Sequence, residues 1–361
     1  MEDETLSEHA SAPVRLGVVG AGWWATEYHI PGAMAHPQAR LVAVSDSHPG
    51  RLQKATEAFG LSRTYHDYRE MLAREQLDGV IVVTPHATHH AIARECLAAG
   101  CHVLIEKPMT LFAWEARDLL DLAAQKNRQI MIGYTQHHYV HTQRARQVIA
   151  SGQFGPVEYV NCSFCSDMTG LLGGNISPQN SPMHHTVTGP SEFYNRPEML
   201  GGGHGHLQLT HLIGLLLYIT GLRARRVQAM MNNLGRRVDM VDVISVEFAN
   251  GALGLIGGTG NSNRNRRISM EVFCREGCYL FDSVSGLAAL RTADGAEEHL
   301  KLTPLSDQRS AVTHNFVDVI LGKAENLAPG EVGWRAVEVL DAAYRSAREN
   351  GRPVTIEELY R

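Results

Sequence analysis

The sequence predicts an α/β protein: a doubly wound parallel sheet in the first part of the chain, then a second region made of a meander of strands. Three observations carry this. Short apolar runs of strand type alternate with helix-compatible segments, the first run leads directly into a glycine turn, and from about residue 156 strand-like runs follow one another through glycine-containing turns. A chain of 361 residues with 44% hydrophobic content can bury a core large enough for two domains.

The opening MEDETLSEHASAP is acidic and lacks the apolar core of a leader, so residues 1–13 are expected to be a frayed tail. VRLGVV (14–19) reads as a strand, and GAGWWA follows it at once. Gly20 allows the tight turn, Gly22 lets the backbone approach a pyrophosphate, and Ala25 permits close helix–strand packing, while Trp23 and Trp24 start a helix whose free N–H groups suit phosphates. Such a fingerprint needs a partner further on. LVAVSD (41–46) supplies it, ending in Asp46 near the ~20-residue spacing at which a carboxylate bonds ribose hydroxyls. This favours NAD over NADP, unless Arg51 or His48 swings in to offset the charge. Asp46 can also be read as a cap for the helix PGRLQKATEAFG.

Alternation continues through DGVIVV (78–83), ATHHAIARECLAAG, HVLIEKP (102–108), a helix to about Asn127, and QIMIGY. Ligands of doubly wound sheets lie beyond the carboxyl ends of the strands. The residues to inspect are therefore Thr84, Pro85 and His86; Glu106, Lys107 and Pro108; and Tyr134 to His138, which include Gln136, His137 and His138. His86 and His89 begin a helix where they can contact cofactor, and Gly100 is expected to stop that helix.

In the second region PVEYVNCSF, RRVQAMM, VDVISVEFA, GALGLIGGT, RRISMEVFC and CYLFD are strand-like. Cys162/Cys165 and Cys274/Cys278 have spacings that zinc sites use, but both pairs sit in strand runs, the second resembling a hairpin turned at Gly277, so no zinc is expected. The stretch from Asp167 to Met199, with His184 and His185, is polar and aperiodic, which suits a hydroxyl-rich ligand. GGGHGHLQLTH (201–211) offers three histidines after three glycines. No carboxylate or thiolate accompanies them, which argues against a metal site, and no P-loop lysine follows, which argues against a phosphate loop. The expectation is the rim of a substrate pocket, with glycines packed close to nicotinamide and His204 and His206 facing hydroxyls.

GAGWWA, TPHATHH and AGCHVLIEKP together resemble the Gfo/Idh/MocA oxidoreductases (glucose-fructose oxidoreductase and inositol dehydrogenase), as does the ending AAYRSARENGRPV. The resemblance implies a Rossmann domain at residues 14–135, and at 136–361 a substrate-binding and oligomerisation domain of α/β type on a large, mostly antiparallel sheet. It also implies NAD(P)-dependent hydride transfer at a sugar-like carbinol and a homo-oligomer, a dimer or tetramer formed through the open sheet face. Family members usually carry an Asp four residues before a His that works with the EKP lysine. Here His211 takes the His place, Leu207 the Asp place, and Gln208, three residues before His211, shares its helix face as a replacement. The GGGHGHLQLTH run is similar to that of a glycoside-oxidising branch.

The chemistry requires a base within ~3 Å of the hydroxyl. An imidazole near ~6.5 suits neutral pH better than a lysine near ~10.4, so His211 is expected as base and Lys107 as the group polarising the oxygen, with the exchange of roles open. Glu106 is expected to steer Lys107. The substrate region is assigned Tyr134, Gln136, His137, His138, His185, His204 and His206. A net charge of -5 without long charge runs gives no footprint for nucleic acid or an anionic membrane, and a cytoplasmic enzyme is expected. The competing functions are a redox-assisted lyase or glycosidase that keeps its NAD, and a nucleotide-sensing regulator.

Overall fold

In the first half β1 (Val14–Val19), β2 (Ala39–Ser45), β3 (Thr64–Tyr65), β4 (Gly79–Val82), β5 (His102–Ile105) and β6 (Ile130–Ile132) form one parallel sheet in the order β3-β2-β1-β4-β5-β6. The order reverses between β1 and β4, which opens a crevice beyond their carboxyl ends. β4 and β6 are buried throughout, as strands covered on both faces must be. The helices between them are α1 (Ile30–Ala35, entered through a π-helical turn at Ala25–His29), α2 (Pro49–Phe59), α3 (Tyr68–Arg74), α4 (His89–Ala98) and α5 (Ala113–Lys126). Gly100 follows α4 at φ 87°, a conformation cheap only for glycine. The computed structural model describes residues 12–174, 186–263, 265–303 and 310–361. The expected tail at 1–13 and His184 and His185 fall wholly or largely outside these.

After α6 (Val140–Ala150), the second sheet is built from β7 (Val157–Cys165), then, past α7 (Thr169–Gly173), α8 (Pro197–Leu200) and α9 (Thr210–Thr220), from β8 (Ala224–Asn232), β9 (Val241–Phe248), β10 (Leu253–Thr259), β11 (Arg267–Cys274), β12 (Gly277–Asp282), β13 (Leu287–Thr292) and β14 (Glu297–His299). With β15 (Val354–Thr355) the order is β14-β13-β12-β11-β7-β10-β9-β8-β15. A plain meander is thus corrected: β7 inserts between β11 and β10, antiparallel to the first and parallel to the second. The reason is long-range pairing, which local alternation does not encode. Cys274 and Gly277 pair across the β11–β12 hairpin, so the turn itself is Arg275–Glu276.

One face of this sheet is covered, with α11 (Gly330–Arg348) packed on β8, α9 and α5, while α10 (Ala311–Ile320) packs on α1 and β5. The other face leaves Met230, Val243, Leu253 and Leu255 exposed. Buried side chains from both sheets form one continuous hydrophobic cluster. No helix among the described residues is long and apolar enough to cross a membrane.

Candidate active site

A cleft of about 2170 Å³ runs from the carboxyl ends of β1, β2, β4 and β5 to the ends of β7 and α9. At one end Gly20 has φ 104°, and a Cβ there would lie 2.1 Å from the Val83 carbonyl oxygen, so only glycine makes this turn. Gly22 faces open space. Ala25 is fully buried, as close helix–strand packing needs, and Trp23 lies buried along the cleft with Nε1 lacking a partner among the described residues. Trp24 stands on the rim with its ring 4.2 Å from that of Tyr28.

Asp46 ends β2 at the same end of the cleft. Its Oδ2 accepts from Ala21 N and Arg51 Nε (2.8 and 3.1 Å), and its Oδ1 accepts from His48 N and Arg51 Nη2 (2.8 and 2.9 Å). Arg51 therefore lies over the carboxylate and compensates part of its charge. The cap of α2 is His48, whose Nδ1 accepts from Arg51 N, so the capping alternative for Asp46 does not hold. A glycine turn with an open approach, an orphaned indole N–H and an acid at the strand end fit a dinucleotide.

Thr84, Pro85, His86, Glu106 and Lys107 line the middle of the cleft. Lys107 Nζ donates to the Leu207 carbonyl at 3.1 Å, which ties the two halves of the chain together. Burial lowers its pKa from 10.5, opposed by Glu106. Glu106 touches Lys107 at its backbone and not at its ammonium: Oε2 accepts from Lys107 N (3.2 Å) and Oε1 lies 3.0 Å from His29 Nε2. His89 is another correction, because its Nδ1 and Nε2 each lie 2.8 Å from a carbonyl, of Pro108 and Thr84, and the ring braces two strand ends instead of facing the cleft.

Gln208 and His211 reach the wall opposite, with Gln136, whose buried Oε1 has no partner among the described residues. Gln208 Nε2 lies 3.3 Å from Met168 Sδ. Burial first, then the positive charges of Lys107 and Arg266, push the His211 pKa well below 6.5, so its imidazole is neutral.

The glycines and histidines of 201–206 do something else. A Cβ on Gly202 or Gly205 would lie 2.2 or 2.5 Å from the Tyr344 hydroxyl, and one on Gly203 would lie 2.0 Å from the Asp239 carbonyl oxygen. The glycines thus admit α11 and the β8–β9 connection, not nicotinamide. Asp239 accepts from Gly203 N (2.6 Å), Gly205 N (2.9 Å) and the Tyr344 hydroxyl (2.9 Å). His204 is fully buried, with Nδ1 2.7 Å from Asp242 Oδ2 and Nε2 3.0 Å from the Phe164 carbonyl, and His206 stacks on Tyr344 at 4.3 Å. Neither faces a substrate. The polarity of His204 is consumed in holding the turn that presents Leu207, Gln208 and His211, whereas His206 serves through its ring face, both its nitrogens lacking a partner among the described residues.

Tyr134 and His137 are likewise turned away from the cleft, and His138 is not among the residues that line it. Tyr134 is buried with its hydroxyl 3.1 Å from Thr210 Oγ1, and His137 stacks on Tyr218 at 4.2 Å with Nδ1 3.1 Å from the Leu327 carbonyl. His185 lies outside the described residues. Sequence reasoning missed Tyr139, Phe164, Ser166 and Arg266, which complete the far wall. Phe164 and Ser166 lie at the carboxyl end of β7, Arg266 just before β11 and Tyr139 at the start of α6, so only the tertiary arrangement of these separate segments brings them together.

Fold and cleft together define an NAD-dependent dehydrogenase. The family model described as the oxidoreductase family with an NAD-binding Rossmann fold matches residues 14–134, and that of the GFO/IDH/MocA C-terminal domain matches 142–280. The chain belongs to the Gfo/Idh/MocA oxidoreductases. It is 30% identical to a dTDP-3,4-didehydro-2,6-dideoxy-alpha-D-glucose 3-reductase of Streptomyces violaceoruber, over 92% of this chain and 95% of that one. It is 24% identical to a D-glucoside 3-dehydrogenase of Escherichia coli K12, over 96% and 99%. The crystal structure of GenD2 from gentamicin A biosynthesis, in complex with NAD, superposes with a TM-score of 0.77 at 25% identity, covering 96% of this chain and 97% of that one.

Proposed function

We propose that the protein oxidises a ring secondary hydroxyl of a sugar or glycoside, at carbon 3 of a glucose-like ring, to a keto sugar with formation of NADH. The observation that carries this is the meeting of Lys107, Gln208 and His211 on one cleft whose other end holds the glycine turn and Asp46. Two similar proteins named for sugar substrates support the substrate class.

His211, neutral because burial and its cationic neighbours disfavour the imidazolium, accepts the hydroxyl proton. Lys107, anchored by the Leu207 carbonyl, points its remaining N–H groups at the oxygen and stabilises the alkoxide as it forms. Gln208, with both donor and acceptor, orients a neighbouring ring hydroxyl. NAD, which the Gly20 turn and Asp46 would hold, would supply the acceptor for the hydride of the same carbon, so that loss of one proton and one hydride leaves a carbonyl. The exposed apolar face of the second sheet supports a homo-oligomer formed on Met230, Val243, Leu253 and Leu255.

The test is a panel of free sugars, inositols and glucosides with NAD, followed by absorbance of NADH and by mass of a product two hydrogens lighter. Reaction of hydroxy acids or aldehydes without any polyol would refute the substrate class, and a product oxidised at another ring carbon would refute the position.

A further inference from the structure

The chain carries 33 basic and 38 acidic residues, yet the substrate half of the cleft is lined by the opposite balance: Arg196, Arg236, Arg266 and Lys107 against Asp167 and Glu106. The two acids are engaged locally. Glu106 holds His29 and the Lys107 backbone, and Asp167 Oδ1 accepts from Thr169 N and Oγ1.

Two pairs of adjacent arginines divide the same way. Arg267 is paired with Asp282 at 2.6 Å and Arg237 with Glu198 at 3.4 Å, whereas Arg266 and Arg236, which turn to the cleft, have no carboxylate within ion-pair distance among the described residues. Arg266 is the better placed. Its guanidinium lies over the Phe164 ring at 5.6 Å, burial disfavours its charge, and its field reaches His211. A neutral sugar would leave this cation uncompensated beside a second one, Lys107.

Resting on the sugar-oxidising reading above, we propose that the substrate bears an anionic group, a carboxylate or a phosphate, and that Arg266, assisted by Arg236, binds it. Guanidinium geometry matches either anion through two parallel N–H···O bonds. An anion there also offsets the positive charges that hold His211 down, so the substrate itself brings the base closer to the working pH.

The experiment titrates the NAD-loaded protein with D-glucuronate, D-glucose 6-phosphate and D-glucose by calorimetry, for the wild type, Arg266→Met, Arg266→Lys and Arg236→Met. Methionine keeps the contact with Phe164 and removes the charge. The anions are expected to bind at least about tenfold tighter than glucose. Arg266→Met should lose about 10- to 100-fold of that affinity, the worth of one or two charge-assisted hydrogen bonds, and Arg266→Lys should lose part of it. Preference for glucuronate assigns the group as a carboxylate, and preference for the phosphate assigns it as a phosphoryl group. Equal binding of all three ligands, or anion binding unchanged by both methionine variants, overturns the proposal. Turnover of methyl glucuronide against methyl glucoside separates the two readings: anion binding through Arg266 with no polyol oxidised sinks the sugar-oxidising reading alone, and oxidation of the glucoside with no anion preference sinks the anion site alone.

Discussion

Replacing Asp46 with serine should narrow the preference for NAD over NADP from both sides. The carboxylate is nearly buried and takes four N–H groups, two from backbone (Ala21, His48) and two from Arg51. Ribose hydroxyls donating to a carboxylate contribute about 1.5–3 kcal/mol, so losing them should weaken NAD by about 10- to 150-fold. NADP gains instead. The variant removes a negative charge from beside the 2'-phosphate, a repulsion of a few kcal/mol at ~4 Å in a medium of effective dielectric about 20, and releases Arg51 to meet the phosphate. Because Arg51 already compensates Asp46, the wild-type preference should be smaller than an unpaired carboxylate would give. Serine offers one oxygen for two backbone N–H groups, so the fold should also lose about 1–3 kcal/mol, measured separately by urea unfolding. The assay is titration of both cofactors by intrinsic tryptophan fluorescence, since Trp23 and Trp24 line the site. Equal wild-type affinity for the two cofactors, or an unchanged gap in Asp46→Ser, would reduce Asp46 to a residue that merely shapes the turn.

Lys107→Ala should leave NAD affinity nearly intact and lower turnover by about 10²-fold or more, and Gln208→Leu should cost less than His211→Ala; steady-state NADH formation decides, and unchanged turnover in Lys107→Ala would exclude it from the chemistry. With His211 as base, kcat/KM stays level as pH falls past 6.5 and drops only well below it, while the alkaline limb falls before 10.5 as Lys107 loses its proton; a rate that climbs with pH through the alkaline range would mean the lysine is the base. Asp242 is raised from 3.8 to about 7 by burial, against the pull of His204. A folded pKa above the unfolded one stabilises fully below about 3.8 and is lost as pH rises through about 7, so Asp242→Asn should flatten the decline of the urea midpoint across that window; parallel curves for both proteins would contradict it. Gly203→Ala drives a Cβ against the Asp239 backbone and should destabilise by about 1–3 kcal/mol, with a lower turnover because the turn carrying Leu207 must move; an unaltered unfolding curve would show that the contact relaxes freely.

The alternation of strands and helices, the glycine turn at Gly20, the acid at Asp46 and the EKP lysine were legible in the sequence, because each is a local requirement: a period, a φ angle, or a residue at a strand's carboxyl end. Gly100 carries its reason in its own positive φ, and Gly20 shows its turn locally although the Val83 carbonyl also demands glycine there. Histidine was the misleading letter. His89, His137, His204 and His206 have the chemistry of a pocket, but their rings serve carbonyls, a buried carboxylate and aromatic faces, and nothing in the local spacing distinguishes a histidine turned inward from one facing a ligand.

By itself the sequence determined what depends on neighbours along the chain: the element types, the dinucleotide turn, and the positions of Lys107 and His211, the pair proposed above to handle the proton. Only the tertiary structure decided what depends on neighbours across it. The insertion of β7 between β10 and β11 brings Phe164 to the cleft, and Arg266 comes to lie over its ring. Gly202, Gly203 and Gly205 answer to Tyr344 and Asp239, which lie dozens of residues away in sequence and touch them in space. Side-chain direction is set by packing and by the satisfaction of buried polar groups, and both are properties of the assembled fold.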